Sequence, residues 1–537
     1  MAHKLAIDFG TTNSVIAHWN DDTGASEVIA VPVIGTTVSP DGQHEHPPIV
    51  PSLIYIDDGS KGKVTIGQTV RDKGYDIQKN NRLFRNFKRG IVSTPAPEPR
   101  SIDGAEWGDS DAGRAYLETL IQALPFRPAD IEQLVLTAPV ASFEGYLAWL
   151  NNLFGEHGAD KIRVVDESTA AALGYSVTEP GAIVLVCDFG GGTLDISLVE
   201  LPESREKTGG FLGRLRKSNP NQHTARVIAK AGRVIGGSDV DQWLLGEVLK
   251  RTGISTKDLG SHYAQLLTEC EKAKIALSTA EATTIAFEAV GKERSVTLAR
   301  AEMEAILEAN GFYNALRRVV DKVMYVARQR GIYKEDIRYV LLVGGTSLMP
   351  SVQKTLRQYF TNLAVRADKP FTAVAEGALQ LATGCGLEDY LAHSYGLRHI
   401  EPDSGEHSYD EIIPMGSRYP TEAPIEVILG AAHEAQAEME FVIGEIDSEA
   451  VSMIEVRYED GQAVFVAQGN TSSQQIIPVN EAAAGNMLAK LIPPGKPGED
   501  RIKAEFMVDE RRQLRLTVTD LKTNQTLLQS AVVATLR

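Results

Sequence analysis

The sequence predicts a duplicated α/β part followed by an all-β part. Three observations carry this. Two strand–turn–strand segments of one kind recur: Leu5-Ala6-Ile7-Asp8-Phe9-Gly10-Thr11-Thr12-Asn13-Ser14 and Val184-Leu185-Val186-Cys187-Asp188-Phe189-Gly190-Gly191-Gly192-Thr193-Leu194-Asp195. Up to about Gly384, short apolar strands alternate with helical periodicity, as in an α/β domain. After Tyr390, strand-like stretches follow one another with turns between, as in a β-sandwich.

The two segments fix the chemistry first. Each is an apolar strand, an Asp, a glycine turn with Thr, and a second strand. Glycine lets backbone N–H groups approach phosphate oxygens because no Cβ intervenes. The threonine hydroxyls add donors. An Asp at the strand end suits a hydrated Mg²⁺. One such turn is an ordinary glycine hairpin. The pair predicts a nucleotide gripped from both sides.

In chain order, 134–137, 163–166, 183–188 and 339–343 read as buried strands. Residues 142–155, 239–251, 262–278 and 298–330 read as helices. Three stretches read as loops: 35–51, 93–111 and the basic 202–224, which holds Arg205, Lys207, Arg214, Arg216 and Lys217. The last reads either as a solvated tip or as a dock for an acidic partner. In the C-terminal part, 423–429, 437–443, 452–458, 462–467, 502–508 and 514–519 read as strands. A short helix is expected near 481–488.

Composition sets bounds. The 537 residues allow about three or four packing units. A net charge of −17 argues against a general nucleic-acid or anionic-membrane binder. Cys187, Cys270 and Cys385 form no metal motif and cannot all pair, so a reducing compartment is expected. The chain enters a strand directly after Met1-Ala2-His3-Lys4, so no signal peptide is expected, and no apolar run spans a membrane. A cytoplasmic protein is the expectation.

Further segments name a resemblance. They are Val164-Val165-Asp166-Glu167-Ser168-Thr169-Ala170-Ala171-Ala172-Leu173-Gly174-Tyr175, Gly236-Gly237-Ser238-Asp239-Val240-Asp241, Glu269-Cys270-Glu271-Lys272-Ala273-Lys274 through Ser278, Val343-Gly344-Gly345-Thr346-Ser347-Leu348-Met349-Pro350, and Ala373-Val374-Ala375-Glu376-Gly377-Ala378. With the two turns, they resemble the DnaK-type, seventy-kilodalton heat-shock chaperones of the actin-like ATPase superfamily. The β part resembles that family's peptide-binding sandwich through 437–445, 502–506 and 514–520, by pattern rather than by reactive residues.

The resemblance implies an actin-like, duplicated ribonuclease-H-like ATPase domain over 1–384, a linker over 385–393, and a sandwich over 394–537. It implies ATP and ADP with Mg²⁺ as cofactors. Asp8 and Asp188 would position the ion. Gly10, Thr11, Thr12, Asn13, Gly190, Gly191, Gly192 and Thr193 would hold phosphates, with Gly236 and Gly237 beside them. Glu271, Lys274 and Ser278 share one helical face, so they can meet one nucleoside together. Gly344, Gly345 and Thr346 would approach the ribose and adenine. Lys88 would neutralise charge at the γ-phosphate, although aligning Arg82-Leu83 instead puts Asn81 there. Glu167 would orient the attacking water, with Asp195 as a second candidate and Thr193 beside them. Leu429, Gly430, Ala437 and Met439 would line the peptide cleft.

Several positions depart from the family's pattern. Ile275 and Leu348 stand where two arginines usually flank adenine, so the cation–π contribution is lost. The linker stand-in, Gly386-Leu387-Glu388-Asp389-Tyr390-Leu391, is less apolar. The sequence stops soon after its last predicted strand, so a lidless member is expected. The expected function is an ATP-dependent chaperone that hydrolyses ATP to control binding of unfolded or extended apolar peptides. Alternatives are an ATP-binding scaffold or regulator, or a small-molecule kinase on the same superfold. A J-domain co-chaperone, contacting Arg163, and a nucleotide exchange factor are the implied partners, with no nucleic acid and no membrane.

Overall fold

The structure, a computed structural model, describes residues 3–536 apart from 39–46, 79, 94, 159–161, 176–178, 204–223, 362, 392, 402–406, 448–453, 460–461, 468–474 and 481–487. The chain divides into two compact units, Met1–Leu387 and Glu388–Arg537.

The first unit is built on two sheets with the same internal plan. In the first, His3–Phe9 pairs antiparallel with Asn13–Asn20 and parallel with Ile131–Ala138, which pairs parallel with Ile162–Asp166. In the second, Ile183–Phe189 pairs antiparallel with Leu194–Glu200 and parallel with Ile337–Val343, which pairs parallel with Ala364–Arg366. The repeated glycine turns therefore close equivalent hairpins of two equivalent sheets, and the duplication inferred from sequence is a duplication of topology.

Central strands covered on both faces read as continuous apolar runs. Ile183–Phe189 and Leu194–Glu200 are buried at nearly every position. One apolar core draws on both sheets, with Ala6, Val15 and Val135 from the first and Val184, Val186 and Leu341 from the second. Two short helices of small residues, Glu167–Leu173 and Ala373–Ala382, complete that core. Their backbones nearly touch: a Cβ on Gly377 would lie 1.7 Å from the carbonyl oxygen of Ala170. The alanine and glycine content of both segments is what permits this approach.

Three expectations change. The single helix expected over 298–330 is two, Arg300–Ala309 and Phe312–Gln329, broken where Gly311 adopts a left-handed φ of 72°. That conformation ends a helix and is cheap only for glycine. The loop expected over 93–111 contains a hairpin, Arg100–Ile102 with Ala105–Trp107, turned at Asp103-Gly104. The loop expected over 35–51 contains the strands Thr36–Thr37 and Pro48–Pro51. The basic run Arg205–Lys217 lies outside the described residues, as does 481–487 of the short helix expected near 481–488. Leu488 begins a strand, Leu488–Gly495.

The second unit is all-β. One sheet runs in the order His407–Ile413, Ser394–Ile400, Ile443–Asp447, Gln475–Pro478; another runs Ile425–Gly430, Asp500–Val508, Gln513–Asp520, Gln525–Thr535. Alternate residues of the middle strands point inward, with Ile502, Ala504, Phe506, Leu514, Leu516 and Val518 buried. The strand expected over 437–443 is interrupted at Phe441-Val442. The Asn480 side chain repairs the break: its Oδ1 accepts from Ile443 N at 2.8 Å and its Nδ2 donates to Phe441 O at 2.8 Å. The stretch expected as a linker includes a strand, Gly386–Tyr390, within which the unit boundary falls. Asp389 is buried there, accepting from the Tyr419 hydroxyl at 2.6 Å with the Arg512 guanidinium 3.5 Å away.

Gly377→Ala should destabilise the first unit by roughly 1–3 kcal/mol, the usual range for an added methyl group with no room. Thermal unfolding should show a lower transition for that unit and an unchanged one for the second. A wild-type melting profile would mean that the two helices separate freely.

Candidate functional site

The two glycine turns meet tip to tip. A Cβ on Gly191 would stand 2.0 Å from Thr12 Oγ1, and one on Gly192 would stand 2.4 Å from Thr11 Oγ1. The Gly236-Gly237 turn docks against the same point, with Gly237 N donating to Gly190 O at 3.0 Å and Ser238 N to Gly191 O at 2.8 Å. The Thr346 hydroxyl donates to Gly190 O at 2.8 Å. Gly344, at a φ of 78°, passes so close to Phe189 that a Cβ would lie 2.5 Å from its carbonyl oxygen. Segments far apart in sequence thus converge because each contributes backbone where a side chain would collide.

Between the turns lies a cavity of about 430 Å³. It is lined by Asp8, Gly10, Thr11, Thr12, Asn13, Glu167, Asp188, Gly190, Gly191, Gly192 and Thr193 at one end. Glu271, Lys274, Ile275, Ser278, Gly344, Gly345, Thr346 and Leu348 line the other. Four candidates do not line it. Gly236 and Gly237 support the second turn from behind, while Lys88 and Asp195 sit deeper. Lys88 is buried, donating through Nζ to Phe9 O and to Glu167 Oε1. Asn81, the alternative to Lys88, is exposed and donates to Ser101 O at 3.0 Å. Asp195 is fully buried and accepts from Ala141 N at 3.1 Å.

Local structure explains Glu167. It is the first residue of its helix, whose N-cap Asp166 accepts from Thr169 N at 2.8 Å. A carboxylate there is favoured by the helix dipole, and the strand Ile162–Asp166 delivers it to the cavity wall.

The electrostatics are lopsided. Glu167, Asp188 and Asp195 are buried, Asp8 is half-buried, and the Lys88 ammonium pairs with Glu167. Burial, with the Glu167 charge second, pushes the Asp8 carboxyl up to about 7 and the Asp195 carboxyl up to about 8. The same two causes push Asp188 well above the carboxylate range. Such a centre calls for a cation. Among the described residues no three Asp, Glu, His or Cys side chains converge as direct ligands. Asp8, Glu167 and Asp188 face the cavity with hard carboxylate oxygens, the donor chemistry that a hydrated Mg²⁺ takes.

At the other end, Glu271, Lys274 and Ser278 reach one cavity, although the helix Tyr263–Ala276 stops before Ser278. Lys274 Nζ lies 2.8 Å from Asp241 Oδ1 and donates to Gly237 O at 3.0 Å, tying this helix to the glycine turn. Ile275 is 61% exposed although it lines the cavity, and Leu348 shares that lining. Sequence reasoning missed Arg71, Gln68, Thr36, Thr37, Met349 and Phe371, which also line it. Arg71 and Gln68 sit on the five-residue helix Gln68–Asp72, too short for a periodicity to show. Phe371 follows Pro370 just before the closing helix, a position with no pattern of its own.

The model of the family described as Hsp70 protein matches residues 157–388. The chain is 25% identical over 541 residues to the chaperone protein DnaK of Thermosipho melanesiensis, covering 97% of this chain and 79% of that one. It is 25% identical over 556 residues to the DnaK of Thermosipho africanus, covering 99% and 81%. The Hsp70 model itself matches the middle of the chain, and over most of its length the chain is similar to Hsp70-type chaperones. Its activity is that of an Hsp70-type chaperone ATPase, and the Hsp70 family binds nucleotide. Among the described residues no helix is long and apolar enough to cross a membrane.

In the second unit, Leu429 and Gly430 end the strand Ile425–Gly430, while Ala437 and Met439 lie on Gln436–Glu440. These strands do not pair with each other: the first pairs with Asp500–Val508 and the second with Leu488–Gly495. Met439 is buried, Leu429 half-buried, and Gly430 and Ala437 exposed.

Gly191→Ala should force the two turns apart and weaken nucleotide binding by about tenfold or more, given the cost of an added methyl in a closed contact. Calorimetric titration with ADP measures it. Unchanged affinity would show that the turns do not need this contact.

Proposed function

We propose that the cavity of the first unit binds ATP with Mg²⁺, hydrolyses it slowly, and thereby governs the hold of the second unit on extended apolar peptide. The observation that carries this is the Lys88–Glu167 pair, 2.5 Å apart and set behind two opposed glycine turns. Hydrolysis needs an in-line water and charge neutralisation at the γ-phosphate. The backbone N–H groups of the turns, with Thr11, Thr12 and Thr193, hold the phosphates. Glu167 orients the water from its helix start. Lys88 supplies positive charge to the developing transition state, and its contact with Glu167 holds the two catalytic groups in register. Asp8 and Asp188 hold the hydrated ion, which when bound neutralises phosphate charge. Glu271, Lys274 and Ser278 meet the nucleoside, and Ile275 with Leu348 gives the base an aliphatic wall.

In the second unit, an extended peptide would be held by backbone hydrogen bonds and by side-chain pockets. The segment around Leu429, Gly430, Ala437 and Met439 is the proposed cleft. A J-domain co-chaperone and a nucleotide exchange factor are the proposed partners, and the cytoplasm is the proposed location.

Lys88→Ala should abolish most hydrolysis while ATP still binds, because the ammonium is asked to act mainly in the transition state. Single-turnover cleavage set beside equilibrium ATP binding decides it, and undiminished cleavage would remove Lys88 from the mechanism. Ile275→Arg combined with Leu348→Arg should tighten ATP binding by on the order of 1 kcal/mol through stacking on the base. Weaker binding by calorimetry would mean that the base does not lie between these two side chains.

A further inference from the structure

A second, smaller cavity adjoins the first. Its volume is about 30 Å³, and Thr11, Thr12, Arg71 and Glu271 line both. Arg85, Asn86 and Ser238 face only the smaller one, with Asp241 beside them. The two carboxylates already have cations: Asp241 lies 2.8 Å from Lys274, and Glu271 lies 3.9 Å from Arg71. Arg85 is poorly matched. Its Nη2 makes two long contacts, 3.4 Å to Asp76 O and 3.3 Å to Thr268 Oγ1. Its Nε is buried with no hydrogen-bond partner. An idle buried donor on a charged group costs folding free energy. The cavity is therefore a small space in which hydroxyl and amide groups, the two cation-paired carboxylates and the side chains of Leu53 and Leu267 surround an underused guanidinium.

Such a site suits an anion, and a guanidinium fork matches phosphate oxygens best of all side chains. The volume admits roughly two waters, about the space of one tetrahedral oxyanion. Resting on the nucleotide reading above, we propose that this cavity holds the inorganic phosphate cleaved from ATP, with Arg85 as its principal cation, and delays its release. The reaction balances without another reagent. The water oxygen bonds to the γ-phosphorus, the bond to the bridging oxygen breaks, and its electron pair leaves with ADP. The water's protons are shared between phosphate and solvent. The phosphate need only pass Thr11 and Thr12, which line both cavities. Arg85 acts after bond cleavage and is not a catalytic residue.

The test uses the full-length chain loaded with ADP and Mg²⁺. Equilibrium binding of radiolabelled inorganic phosphate is one readout; single-turnover cleavage against phosphate release, followed with a fluorescent phosphate sensor, is the other. Arg85→Ala should weaken phosphate binding by about tenfold and speed release by a similar factor, the worth of one charge-assisted contact. Cleavage should stay at the wild-type rate. Arg85→Lys, which keeps the charge and is the safer variant for folding, should be intermediate. Thr268→Val removes the neighbour that Arg85 now touches and should leave phosphate binding unchanged. If Thr268→Val reproduces Arg85→Ala, Arg85 is a strut and the proposal fails. It also fails if the wild-type ADP complex binds no phosphate at millimolar concentration, or if Arg85→Ala binds it as tightly. Absence of any ATP cleavage in the wild type would instead overturn the nucleotide reading, and the phosphate-binding arm would still judge the cavity.

Discussion

The first unit depends on one steric constraint, the contact of two glycine turns. With 2.0 Å between a Cβ on Gly191 and Thr12 Oγ1, the tips of the two hairpins have no room for a side chain. Everything that makes a nucleotide cavity follows from that contact. It sets the two sheets at a separation that the Ala-rich helices can fill. Gly236 and Gly237 extend the principle, because a third segment packs its backbone on the same tip. Side chains with phosphate-binding groups would serve the chemistry but would keep the lobes apart.

A second constraint is electrostatic. Three buried carboxylates and the half-buried Asp8, with the Lys88 ammonium paired to Glu167, leave negative charge that burial makes costly. The raised carboxyls of Asp8, Asp188 and Asp195 are the same imbalance seen through proton affinity. A bound cation removes it. The cluster is thus poorly arranged for stability, and perturbed carboxyls of this kind gather at functional sites.

The sequence made much of this legible, for a physical reason. Glycine turns, their Asp and Thr, and the apolar strands beside them are local patterns, so the duplicated plan and the glycine-turn end of the cavity could be read directly. The other end of the cavity was legible through Glu271, Lys274 and Ser278 because helical spacing links them, and through the Gly344–Thr346 turn. What was not legible came from tertiary placement. Arg71, Gln68 and Phe371 reach the cavity from short or irregular segments with no periodicity. Arg85 stands in a charged stretch with no pattern of its own, and its idle buried Nε shows only in three dimensions. The missed hairpin at Arg100–Trp107 and the split at Gly311 are failures of length, since three-residue strands and a single left-handed glycine leave little pattern. The repair of Phe441-Val442 by Asn480 joins residues far apart in sequence, which no local pattern contains.

The two ends of the cavity divide the labour unevenly. The glycine-turn end, proposed for the phosphates, is fixed largely by backbone contacts. The base end offers aliphatic side chains, one of them the largely exposed Ile275, and these give area but little direction. A nucleotide held this way owes most of its affinity to its phosphates and ion. The number of phosphates should then matter more to the protein than the identity of the base. That suits a device whose state is set by whether the terminal phosphate is attached, cleaved or gone. The small cavity holding Arg85 beside the glycine turns belongs to the same logic, because on the proposal above it would give the intermediate case, cleaved but not yet gone, a place in the structure.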